Sequence, residues 1–254
     1  MDDEKFDRQK RIANWNQGAA RNGKVLVAGA GALGNEVMKL LLQLGVGNIT
    51  IVDFDVVDKA NLNRCVFFSE KDAEGKKLKA EVLAEKGKEM NPEAKISVVI
   101  SRIEDMGDEF FKGYDCAFGC LDNLSARLHL NAHCYGNIPL VDGGTTGFFG
   151  KVQVVKGESS CLECSMSRND YKLLWKKYSC VGEMLDFLDP KMPALSTTTS
   201  IVASVQVNEF LKIVMPELKE GENLVGKYAM IDGLRNTMKI FGIEKRKNCA
   251  VHGY

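Results

Sequence analysis

Apolar runs of strand length alternate with apolar residues at helical spacing through the first half of the chain. Lys24 to Ala28 is a short apolar run that leads into a glycine-rich turn. From Leu33 to Leu44 the apolar positions Leu33, Val37, Leu40, Leu41 and Leu44 recur every three or four residues, which predicts a helix packed along one face. Asn48 to Asp53 predicts a second strand. Glu74 to Met90 predicts a charged amphipathic helix stopped by Asn91-Pro92. Lys95 to Ile100 and Tyr114 to Gly119 predict two more strands, Asn123 to Tyr135 a helix, and Pro139 to Asp142 a fifth strand. Alternating elements of this kind build a parallel sheet with crossover helices on both faces.

The pattern changes after Asp142. Gly143 to Gly147 is turn chemistry, and Gly150 to Lys156 alternates like a strand, so the second half of the sheet is expected to be antiparallel. Cys161 to Pro193 has no clear period and predicts a crossover with short helices. Ser196 to Met215 predicts an apolar helix ending before Pro216, and Lys227 to Asp232 with Asn236 to Ile243 predict a hairpin around Gly233. The expected architecture is α/β: one Rossmann-like domain over 1–254, with a nucleotide-binding half to about 142 and a second half carrying a metal site and the crossover. No internal repeat or low-complexity tract interrupts it.

Composition narrows the function classes. The 254 residues are 45% hydrophobic and 27% charged, which is a globular balance. Lys plus Arg and Asp plus Glu each number 34, so the formal charge is zero, which argues against a broad basic surface for nucleic acid. The N-terminal MDDEKFDRQKR has no apolar signal core, and no run has the length of a membrane span, so a cytoplasmic protein is expected. In a reducing compartment its eight cysteines read as metal ligands, reactive thiols or core residues.

Gly29-x-Gly31-x-x-Gly34 lies between a predicted strand and a predicted helix. The glycines permit a tight turn and close backbone approach, and the helix N-terminus attracts phosphate. Asp53 ends the next strand, where a carboxylate can take ribose hydroxyls. A nicotinamide dehydrogenase would show these same residues. Arg64 and Lys79 are cations that can neutralise a triphosphate. Asp122, after the fourth strand, can hold Mg²⁺ through oxygen. Each has a plainer alternative: Arg64 as a loop cap, Lys79 as one of several solvated lysines, Asp122 as a helix cap.

Taken in order, these stretches resemble the ThiF/MoeB and ubiquitin-activating adenylyltransferase family along nearly the whole chain. The resemblance rests on Phe6-Asp7-Arg8-Gln9, GAGALG at 29–34, DFDVVDKANLNR at 53–64, KAEV at 79–82, LDN at 121–123, TTGFFG at 145–150 and CLEC at 161–164. The NLNR wording is closer to eukaryotic-type activating enzymes than to bacterial sulfur-carrier enzymes. The resemblance implies ATP as the nucleotide. It implies that Arg8 reaches a neighbouring protomer's site, that Asp53 binds ribose with Asp55 nearby, that Asn61, Arg64 and Lys79 contact phosphates, and that Asp122 binds magnesium. Two departures stand out. Cys65 occupies a position usually held by Gln, and an extra residue between Gly75 and Lys79 leaves Lys76 or Lys77 as alternative phosphate lysines.

Cys161-x-x-Cys164 and Cys249-x-x-His252 are two half-sites with the spacing of tetrahedral zinc. A redox Cys-x-x-Cys is disfavoured because no thioredoxin-like strand–helix pattern precedes Cys161; a frayed His252 near the C-terminus is the other alternative. The family usually has a second Cys-x-x-Cys here. Cys180 lies in the irregular crossover, where family members that form a thioester carry their nucleophile, and the lysines at 176 and 177 favour a thiolate. The family's eukaryotic form usually has Thr after that cysteine, where this chain has Val181. Cys65, Cys116, Cys120 and Cys134 fall on or beside core elements and are expected to be buried, Cys65 least firmly because it adjoins the nucleotide site.

Four readings follow. The leading one is activation of a ubiquitin-like protein: adenylation of its Gly-Gly tail, thioester transfer to Cys180, and hand-off to a conjugating-type enzyme. Adenylation of a sulfur-carrier protein without conjugation is the second. A nicotinamide-dependent oxidoreductase is weakened by the Arg64, Lys79 and Asp122 set, and a catalytically silent partner subunit by the same set. Attack by a carboxylate needs no general base, because the carboxylate is already ionised at neutral pH, so His129, His133 and His252 are not required as catalysts. His129 and His133 are four apart on a predicted helix and are expected to be a satisfied pair rather than metal ligands. A homodimer, or a pair with a similar chain, is expected from the Arg8 assignment.

Overall fold

The computed structural model describes residues 4–166, 193–218 and 223–253. Eight strands run in chain order as β1 (Lys24–Ala28), β2 (Asn48–Val52), β3 (Lys95–Val99), β4 (Cys116–Gly119), β5 (Leu140–Thr146), β6 (Phe149–Val155), β7 (Lys227–Asp232) and β8 (Thr237–Gly242). They form one mixed sheet of order β3-β2-β1-β4-β5-β6-β7-β8. Pairing is parallel from β3 through β5. It is antiparallel from β5 to β8. The change of hand falls within the half of the chain where the sequence pattern changes.

The helices are α1 (Asp7–Lys10), α2 (Gln17–Asn22), α3 (Ala32–Leu44), α4 (Glu70–Glu74), α5 (Lys79–Met90), α6 (Leu124–Cys134) and α7 (Ser196–Val214). Side chains alternate across a strand, so each central strand feeds two cores. Val25 and Val27 of β1 join the core under α3, α5 and α7, with Met38, Leu83 and Phe210. Leu26 and Ala28 face the opposite core, with Leu130 of α6, Phe111 and Leu162. Both faces are therefore covered, as a parallel sheet requires.

Two elements differ from the sequence expectation. The helix expected from Glu74 begins instead at Lys79. Gly75 caps α4, and Lys76 takes a left-handed φ of 48°. The next residues pair with the segment after β2: Val57 N–H donates to Lys77 O at 2.8 Å and Lys79 N–H to Asp55 O at 2.9 Å. Tertiary backbone pairing outweighs helix propensity there. The turn expected at Gly143 to Gly147 is instead largely strand, because β5 continues to Thr146 with Gly143 and Gly144 opposite Val152 and Lys151. A side chain at Gly143 would sit 2.6 Å from Gln206, so the glycines there serve close packing.

The loop between α4 and α5 is pinned by a buried carboxylate. Asp72 is only 3% exposed and accepts from Lys86 Nζ at 2.6 Å, Lys77 Nζ at 3.0 Å and Ser69 N–H at 3.0 Å. Burial by itself would raise its pKa, but the bonds from Lys86, Ser69 and Lys77 outweigh burial and hold it well below the usual carboxylate range. A folded-state pKa depressed in this way gives stability that is present above the unfolded value, near 3.8, and is lost as pH falls below it. Asp72→Asn is expected to lose about 1–3 kcal/mol at pH 7, since hydrogen bonds to a charged group have that worth. Urea unfolding should show the difference constant down to about pH 4 and shrinking steadily below it; a difference that does not shrink below about pH 4 contradicts the assignment.

Candidate nucleotide site and metal centre

β1 lies between β2 and β4, where the chain reverses direction across the sheet. In open α/β sheets the crevice at the carboxyl ends of such strands is where ligands bind. Each expected nucleotide residue except Arg8 comes from a loop or a helix start at or near this edge.

Gly29 has φ of 99°, and a side chain there would lie 2.5 Å from Cys120 O. One at Gly34 would lie 2.0 Å from Gly29 O. A side chain at Gly31, the N-cap of α3, would have nothing within 4 Å. Two glycines are thus required by packing, and the third leaves open space at a helix N-terminus, where phosphate is favoured.

Asp53 is tied to this turn. Its Oδ2 accepts from Ala30 N–H at 2.6 Å and its Oδ1 from Asp55 N–H at 2.8 Å. Burial raises its pKa, opposed by the Ala30 hydrogen bond and the Lys79 charge. Lys79 opens α5, is 12% exposed, and pairs with Asp55 at 2.7 Å. Burial alone would lower its pKa, but the Asp55 bond and the charges of Asp53, Asp55 and Asp122 outweigh it and hold the ammonium protonated. Lys76 and Lys77 are paired away from the edge, with Asp58 and Asp72. Of the lysines at 76, 77 and 79, Lys79 is the one set among the acids at the strand ends.

Asp122 is exposed just beyond β4, and the cap of α6 is its neighbour: Asn123 accepts from Ala126 N–H at 2.8 Å. The helix-cap alternative for Asp122 is therefore overturned. Asn61 ends a single 3₁₀ turn capped by Asp58, its Oδ1 accepting from Asp58 N–H at 2.9 Å, which leaves its amide NH₂ as the donor. Arg64 Nη1 donates to Asn63 Oδ1 at 2.9 Å and to Ala60 O, so its fork is held by its own loop.

Arg8 stands elsewhere. It is exposed on α1, beside Phe6, which packs against Gly45 at the C-terminal end of α3. Gln9 and Gln17 both donate to Leu44 O at 3.0 Å and fix this segment there. The phosphate end of the 13-residue α3 is about 20 Å away, at 1.5 Å per residue. The structure does not bring Arg8 to the site of its own chain.

The sequence reading passed over Arg127 and Asp142. Arg127 in the first turn of α6 donates through Nε to Asp142 Oδ1 at 3.2 Å and through Nη2 to Oδ2, and Asp142 at the β4–β5 edge is 2% exposed. An Arg four residues past a helix cap and an Asp ending an apolar strand were the available signals. His129 and His133 are bonded to Met106 O and Asp108 respectively, as a satisfied pair.

Cys161, Cys164, Cys249 and His252 converge, with their ligand atoms all within 4.8 Å of one another. The Cys161 sulfur is 3.9 Å from that of Cys164 and 3.5 Å from that of Cys249, and Cys164 Sγ is 3.1 Å from His252 Nε2. A tetrahedron with Zn–S bonds of about 2.3 Å has edges of about 3.8 Å, so the set fits zinc. The backbone bond Gly253 N–H to Cys249 O, 2.7 Å, closes the second knuckle and holds His252 in place. Burial pushes the Cys161 thiol up to about 12, helped by Cys249 and opposed by the Cys164 backbone and the Asn131 side chain. Three buried thiols beside a half-buried imidazole suit a cation that takes thiolates.

Cys180 lies outside the described residues. Cys65, Cys116, Cys120 and Cys134 are buried.

A protein-family model described as the ThiF family matches residues 6–251, and the chain belongs to that family. Among curated proteins, the SUMO-activating enzyme subunit 2 of Dictyostelium discoideum is 37% identical over 145 residues, covering 56% of this chain and 22% of that protein. The NEDD8-activating enzyme E1 catalytic subunit of the same organism is 36% identical over 172 residues, covering 62% of this chain and 38% of that protein. The chain thus spans well under half the length of these relatives. Among solved structures, E. coli MccB with MccA-N7isoASN superposes with a TM-score of 0.78 at 20% identity, covering all of this chain and 75% of that one. MccB with ATP gives 0.76 at 20% identity over the same shares. At such identity the likeness is one of fold.

Burial pushes the Cys65 thiol up to about 11, opposed in part by Arg64 and Lys79. Alkylation of the native protein at about pH 8 should therefore leave Cys65 unlabelled, with labelling restored in denaturant. Mass spectrometry that finds Cys65 modified as fast as a free thiol contradicts this burial.

Proposed function

We propose that this chain activates the C-terminal carboxylate of a ubiquitin-like protein with a Gly-Gly tail by ATP-dependent adenylation, followed by thioester transfer to Cys180. One observation carries the reading: a charged Lys79 is held among Asp53, Asp55 and Asp122 at the carboxyl ends of β2 and β4, beside the open N-terminus of α3. Membership of the ThiF family and the names of the two relatives support it.

The roles follow from the chemistry. Asp53 takes the ribose hydroxyls, and Gly31 lets the phosphates reach the α3 N-terminus. Lys79, Arg64 and the Asn61 amide meet phosphate oxygens, with Asp55 orienting Lys79. Asp122 would hold Mg²⁺, whose charge would offset the repulsion between a carboxylate and the α-phosphate. A carboxylate oxygen of the tail bonds to the α-phosphorus while the bond to the β-phosphate oxygen breaks and pyrophosphate leaves. The Cys180 thiolate then attacks the acyl carbon and AMP leaves. Arg8 completes the site of a partner protomer, because its own site lies at the far end of α3. Cys161, Cys164, Cys249 and His252 would hold zinc, which would join the two knuckles. Cysteine ligands that must stay unoxidised suit a cytoplasmic location. A conjugating-type enzyme is the expected acceptor of the thioester. Adenylation of a sulfur carrier uses the same site and differs in needing no Cys180 adduct.

Pyrophosphate exchange with candidate Gly-Gly-tailed ubiquitin-like proteins tests the first step. Asp122→Ala should stay folded and lose at least about 100-fold, the scale of removing one electrostatic stabiliser. Full exchange in that variant contradicts the magnesium assignment. Cys180→Ala should keep exchange and lose a thiol-sensitive enzyme–modifier adduct. A wild type that exchanges pyrophosphate but forms no adduct removes the thioester step and favours the sulfur-carrier reading.

A further inference from the structure

Buried polar groups that the nucleotide chemistry does not use gather at the C-terminal end of α6. Asn131 is fully buried, and its Oδ1 accepts from Leu162 N–H at 3.0 Å, the amide directly after Cys161. Its Nδ2 has no hydrogen-bond partner among the described residues, although a buried amide left unpaired is costly. Four residues on, at the C-cap of α6, the Tyr135 ring stacks on the His252 imidazole with centroids 4.9 Å apart and planes 25° apart. One helix face thus touches both halves of the Cys₃His cluster.

We propose that α6 supplies the outer shell of this metal centre, with the Asn131 amide donating to the Cys161 sulfur and Tyr135 fixing the plane of the His252 ring; this rests on the reading that the cluster holds zinc. A carboxamide is planar, so fixing its oxygen on Leu162 N–H sets the direction of its NH₂. The knuckle backbone lies at the oxygen of this side chain, and the Cys161 sulfur is within reach of its amide. A metal-bound thiolate remains electron-rich and accepts an N–H, so the loaded protein offers the Asn131 nitrogen a charged acceptor in place of a weakly accepting thiol. The stack acts at the other ligand pair. His252 Nε2 faces the Cys164 sulfur, and a ring held flat against Tyr135 keeps Nε2 aimed inward. Asn131 and Tyr135 are positioning residues. α6 starts beside Asp122, so one rigid helix joins the metal centre to the nucleotide edge.

The test uses the whole chain loaded with cobalt in place of zinc. Asn131→Leu, similar in volume, should shift the thiolate-to-cobalt charge-transfer band to lower energy, because an unbonded thiolate gives up its electrons more readily. It should also speed extraction of the metal by chelator about 10- to 100-fold, the usual effect of removing an outer-shell partner. Tyr135→Leu should speed extraction and leave the band in place. A folded Asn131→Leu with the wild-type band and extraction rate overturns the proposal, since a merely structural role moves the melting temperature and not the band. A measurement on the wild type needs no substitution: with spin-active cadmium bound, the Asn131 side-chain amide proton should couple to the metal, and an uncoupled proton overturns the proposal. A wild type that takes up neither metal overturns the zinc reading, and the outer shell falls with it.

Discussion

The bond from Ala30 N–H to Asp53 Oδ2 couples the ends of β1 and β2, and the nucleotide edge depends on it. It fixes the glycine turn against a carboxylate that burial alone would drive towards the neutral acid. Lys79 opposes that drift, and it in turn stays charged because Asp55 and the other acids face it. Charge and backbone are therefore mutually dependent: the ammonium, the carboxylates and the turn hold one another in place before any phosphate arrives. Preorganised charge of this kind does not have to rearrange to meet an anion.

The antiparallel half contributes in a different way. β5 to β8 extend the sheet beyond the crevice, and the Cys/His cluster ties the segment after β6 to the segment after β8. α6 lies against that cluster at one end and starts next to Asp122 at the other. Cross-linking two distant knuckles with a metal removes chain freedom where the sequence has little regular structure of its own.

Much of this was legible in the residues because local rules apply to them. The glycine turn follows a strand and opens a helix, and the switch to an antiparallel sheet shows in the residue pattern. The Cys-x-x-Cys and Cys-x-x-His half-sites carry their spacing in the sequence. The start of α5 was not legible, because a long-range pairing of Lys77 and Lys79 with Val57 and Asp55 overrides a continuous helical pattern. Gly143 and Gly144 read as a turn because glycine is usually a breaker, yet here they admit Gln206 and Arg127 close to a strand. Asp122 could not be told from a helix cap by type alone; the fold assigns the cap to Asn123. Arg8 illustrates the limit from the other side, since the fold sets it at the far end of α3 from the glycine turn, which its place in the sequence does not reveal.

Direct binding of nucleotides to the whole chain tests the central claim that the edge of β1, β2 and β4 is an ATP site and not a dinucleotide site. Calorimetric titration should give saturable binding of magnesium-ATP, weakened about tenfold or more in Lys79→Ala at unchanged melting temperature, with no comparable binding of NADH. Preferential binding of NADH, or equal ATP affinity in a folded Lys79→Ala, would contradict it.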